Sequence, residues 1–188
     1  HVTFAYQHGS LSNNNFSIFL NLNKIIMPNN ILLSGKVTKN LFLANKFDID
    51  KLIIIGSNRH SSQKKYFKKN NFHILIIPSG TYDENLKLFK LSEYLARNHD
   101  NYLFYFKFHP DSPFDFNFKS DLNNLHFGNF DLEDLLIKCS FALYSSSSLI
   151  IKCLQSGLIP LFYNYSPGFI SNILYEFQNI FSIDKSFK

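Results

Sequence analysis

The sequence feature that most constrains the fold is a run of four serines between two apolar segments. Residues 141–144 are apolar and rich in β-forming side chains, which predicts a buried strand. Residues 149–154 repeat apolar side chains at near-helical spacing and stop before Gly157, and residues 158–163 are apolar again. The serines, Ser145, Ser146, Ser147 and Ser148, therefore lie where a strand turns into a helix, which is where open α/β sheets bind ligands. Hydroxyl groups and unpaired N–H groups at such a turn predict an anion site. The alternative is that one serine caps the helix and the others fill a turn.

Strand-like and helix-like segments alternate along most of the chain. From residue 72 onward, strands are predicted at 72–77, 102–108 and 125–127, and helices at 83–97, 132–138 and 171–177. Upstream, strands are predicted at 2–7, 31–33 and 52–55, with a short helix at 37–45. This alternation predicts an α/β fold, a Rossmann-like parallel sheet with helices on both faces.

The domain organisation follows from where the pattern becomes regular. The chain begins at His1 with a strand under way, so we expect it to be part of a longer protein. Residues 1–30 are assigned to the tail of an N-terminal domain and a linker, and residues 31–188 to a C-terminal domain. The polar and basic stretch 57–71 marks the passage into the regular β/α units.

Composition narrows the classes of partner. The net charge is +5, and its densest run comprises Lys64, Lys65, Lys68 and Lys69. A solvated surface helix explains this run, and the alternative is an anionic partner such as a membrane surface or a phosphorylated substrate. No RNA-binding signature accompanies the aromatic residues, so nucleic acid is not an expected partner. Cys139 and Cys153 lie in apolar settings, which indicates reduced thiols in the cytoplasm, and no ligand spacing predicts a metal site.

A second polar segment also follows a predicted strand. Lys107, Phe108, His109 and Pro110 come at the end of the strand 102–108, and proline turns the chain out of the sheet there. If both strands belong to one parallel sheet, His109 can donate a proton or a hydrogen bond to a phosphate held by the serine run. Gly80 and Thr81 follow a third strand and can supply backbone N–H groups at the same edge. The alternative is that His109 has a structural role.

These segments, in this order, resemble the C-terminal nucleotide-binding domain of GT-B glycosyltransferases. The resemblance is to the bacterial surface-polysaccharide group, which includes CDP-glycerol glycerophosphotransferases, capsule Kdo transferases, and sialyl- and polysialyltransferases. Those enzymes carry a Lys-x-His-Pro motif, matched by Lys107 to Pro110, and a pair of serines before a helix, matched within Ser145 to Ser148. Several members also have His-Gly at the end of an N-domain strand, which His8 and Gly9 resemble.

The resemblance implies a transferase that uses a nucleotide-activated donor, CMP- or CDP-linked, without a further cofactor. His109 would contact or protonate the departing phosphate, the serines would bind it, and His8 would be a candidate base on the acceptor side. The acceptor would be a glycan or a lipid-linked molecule, and the enzyme would act in the cytoplasm, in peripheral contact with the inner membrane. Many GT-B enzymes have Glu where Lys152 stands, to hold the ribose, and Lys152 cannot accept those hydrogen bonds.

Two alternatives to a transferase stay open at this point. A sugar-nucleotide 2-epimerase has the same fold, but it carries a Gly-Gly segment and an acidic residue after the serine, and residues 147–152 contain neither. A non-catalytic module that binds only a nucleotide or a partner is compatible with the departure at Lys152.

Overall fold

The computed structural model describes residues 1–7, 11, 27–57, 72–109, 120–165, 172–175 and 180–184. Within these ranges the chain divides into two compact units. One comprises residues 1–62 and 173–176, and the other comprises residues 63–172 and 177–188. The predicted limits of 1–30 and 31–188 refer to the domains of a transferase and stay a prediction.

The first unit contains a parallel three-stranded sheet. Its strands are β1 (Phe4–Gln7), β2 (Asn30–Leu33) and β3 (Leu52–Ile54), in that spatial order. Helix α1 (Lys36–Ala44) connects β2 to a 3₁₀ turn (Ile49–Lys51) that precedes β3. Alternate side chains of β2 pack with apolar residues of α1 and of the neighbouring segments, which forms a small core: Leu11, Ile31, Leu33, Leu41, Phe42 and Leu52.

The second unit is a parallel six-stranded sheet with its connecting helices. In chain order its elements are β4 (His73–Ile77), α2 (Tyr82–Asn98), β5 (Leu103–Lys107), β6 (Leu125–Gly128), α3 (Leu132–Lys138), β7 (Phe141–Tyr144), α4 (Leu149–Gln155), β8 (Ile159–Asn164) and β9 (Phe181–Asp184). The spatial order is β6-β5-β4-β7-β8-β9, and every neighbouring pair is parallel. Since the chain runs outward from β4 through β5 and β6, then returns to β7 on the other side, β4 and β7 flank the topological switch point.

Side chains on both faces of this sheet are buried, as expected of a parallel sheet. On one face, Ile74 and Ile76 of β4 pack in a cluster with Leu88 and Leu91 of α2. On the other face, Leu75 and Ile77 alternate with them and are also buried. The α/β fold with a Rossmann-like parallel sheet flanked by helices is therefore confirmed.

Local signals explain where several elements end. Helix α4 ends at Gln155, shortly before Gly157, whose φ of 88° is in the left-handed region that favours glycine. The N–H of Leu158, the next residue, donates to the carbonyl of Cys153 at 2.9 Å. Helix α3 begins after Asp131, whose carboxylate accepts the N–H of Asp134 at 3.1 Å. None of the helices in the described ranges combines the length and hydropathy needed to cross a bilayer.

The prediction at the C-terminus is wrong in part. Residues 173–175 form a turn where a helix was expected to begin within 171–177, and residues 171, 176 and 177 lie outside the described ranges. The strand β9 that follows was not predicted. It pairs with β8 through four register positions, from Leu161 with Phe181 to Asn164 with Asp184, and extends the sheet by one strand. The run of lysines at 64–69 also lies outside the described ranges.

Candidate functional site

The serine run and His109 follow neighbouring parts of one sheet edge, at the topological switch point. Phe106 of β5, Ile76 of β4 and Leu143 of β7 lie side by side in the sheet. Three residues beyond them in sequence come His109, Ser79 and Ser146, respectively. Neighbouring strands are about 4.8 Å apart, so the strand ends that lead to His109 and Ser146 are about 10 Å apart. The structure thus brings the loops after β4, β5 and β7 to the same edge of the sheet.

The four serines divide into two pairs with different surroundings. The Ser145 hydroxyl is buried and donates to the backbone carbonyl of Tyr163 in β8 at 3.0 Å. Ser146 donates from its backbone N–H and from its hydroxyl to Glu84. Within the described part of the chain, the hydroxyls of Ser147 and Ser148 have no hydrogen-bond partner, and Ser148 is exposed. Ser145 and Ser146 therefore fix the loop. The hydroxyls of Ser147 and Ser148 are left to bond with a ligand, and Ser148 is exposed whereas Ser147 is only 8% exposed.

Glu84 is the residue at this edge that the sequence-based prediction missed. Its carboxylate accepts the Ser146 N–H at 3.0 Å through Oε1 and the Ser146 hydroxyl at 2.6 Å through Oε2. The residue is only 3% exposed and lies in the first turn of α2. In the sequence, Glu84 is an acidic residue near the start of the predicted helix 83–97, where the helix dipole favours a carboxylate. A signal was present, however, because Glu84 precedes the buried Leu88 by four residues and so lies on the inward face of α2.

The loop after β4 is held by its own polar groups. The Ser79 hydroxyl accepts the backbone N–H of Thr81 at 3.1 Å and lies 3.0 Å from the Thr81 hydroxyl. The Asn85 amide, fully buried, donates to the carbonyl of Ser79 at 3.0 Å, and its Oδ1 has no partner in the described part. The predicted binding residues Gly80 and Thr81 are both exposed here, and a Cβ at Gly80 would meet no atom within 4 Å.

Two residues add electrostatic character to the Glu84 side of the edge. Burial raises the pKa of the Tyr165 hydroxyl, and the carboxylates of Glu84 and Asp83 raise it further, to about 12. Each of these effects disfavours the tyrosinate anion. The Lys87 ammonium lies 4.3 Å from the centre of the Tyr165 ring and pairs with Asp83 at 2.6 Å. Glu84 and Asp83 therefore disfavour a negative charge at the Tyr165 hydroxyl, and the Lys87 ammonium lies against the same ring.

The remaining predicted residues are placed as follows. Lys107 donates to the backbone carbonyl of Phe130 at 2.8 Å, and so holds the loop before α3. His109 is half-buried, two residues after the end of β5. His8 and Pro110 lie outside the described residues.

Lys152, where the resemblance predicts a ribose-binding Glu, forms an ion pair with Glu133 at 2.5 Å. This bond joins α4 to α3, so Lys152 has a role within the fold. Among the described residues, no group of three or more His, Cys, Asp or Glu side chains has the arrangement needed to hold a metal ion.

Comparison with known proteins does not extend this description. No model of a known protein family, no curated protein and no solved structure matches the chain. The sheet topology and the groups at the switch point are therefore the features that bear on function.

Proposed function

We propose that the chain is part of a glycosyltransferase, or of a glycerophosphotransferase-like enzyme, that uses a nucleotide-activated donor in the synthesis of a bacterial surface polysaccharide. The donor would be CMP- or CDP-linked, and the acceptor a glycan or a lipid-linked molecule at the cytoplasmic membrane face. In this proposal residues 31–188 belong to the nucleotide-binding domain of GT-B type, and residues 1–30 to the tail of the acceptor domain. The resemblance described above supplies the class of reaction.

The observation that carries the proposal is the position of the serine run and His109 at a topological switch point. In doubly wound sheets, ligands bind outside the carboxyl ends of the strands where the strand order reverses. The loops after β4 and β7 flank that point, and His109 follows the next strand, β5. A nucleotide in this crevice would meet hydroxyl donors on one side and an imidazole on the other.

The chemistry that this arrangement can perform is the stabilisation of a leaving phosphate. Displacement at an activated carbon needs the charge of the leaving group to be stabilised and the acceptor hydroxyl to be deprotonated. The hydroxyls of Ser147 and Ser148 can donate to the phosphate, and His109 can donate a proton or a hydrogen bond. In this proposal the second requirement, deprotonation of the acceptor, falls to His8.

One observation favours a second candidate, a module that binds a ligand without turnover. Ser145 and Ser146 donate to groups of the protein itself, and Lys152 is paired with Glu133. Fewer side chains are therefore left to bind a nucleotide-activated donor than the serine run alone suggests. Binding of a nucleotide without transfer by the full-length protein would support this candidate.

Thermal unfolding in the presence of CMP, CDP, UDP or GDP tests the proposal. A ligand at a hundred times its dissociation constant stabilises the folded state by about 2.7 kcal/mol, so a binding nucleotide raises the melting temperature measurably. The Ser147→Ala, Ser148→Ala double variant should lose about tenfold or more in nucleotide affinity, because hydrogen bonds to a charged group contribute about 1.5–3 kcal/mol each. The affinity for the uncharged nucleoside should change little. If none of the four nucleotides binds, the proposal is wrong.

A further inference from the structure

The contact between Glu84 and Ser146 places a carboxylate where a nucleotide-binding loop would place a phosphate. Both hydrogen-bond donors of Ser146 point to the two oxygens of one planar anion, at 3.0 and 2.6 Å. That anion belongs to the protein, since Glu84 comes from α2 and is separated from Ser146 by 62 residues. Because Glu84 is almost completely buried, the contact is shielded from solvent and only weakly screened by salt.

The surroundings of Glu84 strengthen its effect on a second anion. Glu84 forms no ion pair within the described residues, because the nearby Lys87 pairs with Asp83 instead. Burial is the largest cause of the raised pKa of Tyr165, and Glu84 and Asp83 raise it further because both oppose a negative charge on that hydroxyl. A phosphate beside Ser146 would find its donors occupied and a carboxylate at close range.

We propose that Glu84 is a specificity-determining residue, which keeps the phosphate of a bound nucleotide away from Ser146 and directs it to Ser147 and Ser148. The part of the ligand beside Ser146 is then uncharged and offers hydrogen-bond donors, such as hydroxyl groups. This inference rests on the proposed nucleotide site, and it adds the orientation of the ligand within that site. The orientation follows because Ser147 and Ser148 retain free hydroxyls, whereas Ser145 and Ser146 do not.

Isothermal titration of the whole chain with CMP and cytidine tests which serines meet the phosphate. Ser148→Ala and Ser147→Ala should each weaken CMP binding and leave cytidine binding nearly unchanged. Ser146→Ala should change the affinities for CMP and cytidine by the same factor, because its hydroxyl bonds to Glu84 in both complexes. A loss on Ser146→Ala that is confined to CMP would overturn the inference, as would unchanged CMP binding on Ser147→Ala and Ser148→Ala.

The Glu84→Gln variant tests the role of the carboxylate directly, with inorganic phosphate and CMP as the probes. Removing the charge should tighten the binding of inorganic phosphate by about tenfold or more, since like charges at close range disfavour each other strongly in a buried site. The control is Asp83→Asn, which removes the same charge from the same helical turn without touching Ser146, and which should change phosphate binding less. Equal effects of the two variants, or weaker phosphate binding by Glu84→Gln, would show that Glu84 does not exclude the phosphate.

The outcomes separate this inference from the proposed function. If the wild-type chain binds none of CMP, CDP, UDP and GDP, the proposed function and this inference are both wrong. If it binds CMP through Ser146, only the inference fails. Should Glu84→Gln not fold, the comparison of CMP with cytidine across the serine variants still decides the question, because those variants keep Glu84.

Discussion

The bond between Glu84 and Ser146 should contribute measurably to stability, and a double-mutant cycle can isolate it. The Ser146 hydroxyl donates to a buried carboxylate at 2.6 Å, and a hydrogen bond to a charged group contributes about 1.5–3 kcal/mol. Ser146→Ala removes this bond alone and should lower the free energy of unfolding by about that amount. Glu84→Ala also removes the acceptor of the Ser146 N–H, so we expect a loss of about 3–6 kcal/mol.

The two single losses should not add in the double variant, because both count the same hydroxyl bond. The coupling energy should therefore be about 1.5–3 kcal/mol. A matched control is the cycle of Glu84→Ala with Ser145→Ala. The Ser145 hydroxyl donates to the carbonyl of Tyr163 and not to Glu84, so this pair should be additive within about 0.5 kcal/mol.

Urea-induced unfolding followed by far-UV circular dichroism provides the measurement. The chain contains no Trp, so a change in backbone signal is a suitable probe. Constant denaturant slopes across the variants would show that each substitution changed stability and not the extent of unfolding. A coupling energy below about 0.5 kcal/mol for Glu84 and Ser146 would refute the reasoning, because it would mean that water replaces the bond at little cost.

Three further predictions concern a helix end, a half-buried histidine and the catalytic proposal. The Asn124 amide donates to three backbone carbonyls around the end of α2 at 3.0–3.3 Å. Asn124→Ala should therefore lower the free energy of unfolding, measured in urea, by about 1–3 kcal/mol. The control Asn123→Ala, at an exposed neighbour, should lower it much less. Burial lowers the pKa of the His73 imidazole below 6.5, and the nearby Lys138 and His126 lower it further. The unfolded chain therefore binds this proton more readily than the folded chain does. The free energy of unfolding should fall as the pH decreases from 6.5 through the folded-state pKa. Urea midpoints measured against pH should show this slope, and His73→Phe should reduce it. His109→Ala should lower turnover by the full-length enzyme about 10²–10⁴-fold at an unchanged melting temperature. Unchanged turnover would exclude the proposed role, and a large drop in melting temperature would favour a structural histidine.

The sequence by itself was sufficient for the elements whose signals are local. The apolar run at 141–144 and the helical spacing at 132–138 predicted β7 and α3 with the bounds that the structure has. Gly157 marked the end of α4, because the residue that follows a helix end often adopts the left-handed conformation, which glycine adopts at little cost. The alternation of such segments was also sufficient for the parallel α/β class, since parallel strands need helical crossovers. Strand β9 was missed because four residues at the edge of a sheet carry too little pattern to distinguish them from a loop.

The composition of the candidate site was decided only by the tertiary structure. The sequence predicted that serines follow one strand and His109 another, and the strand order then placed both beside β4. Nothing local indicates that Glu84 bonds to Ser146, or that Lys152 pairs with Glu133 across two helices. Such contacts depend on which strands become neighbours and on the register between them. The strand order and the register depend in turn on the burial of the apolar side chains of all the strands and helices together. A periodic pattern shows which face of a helix or strand is buried. It does not show which residues pack against that face, because they come from a distant part of the chain.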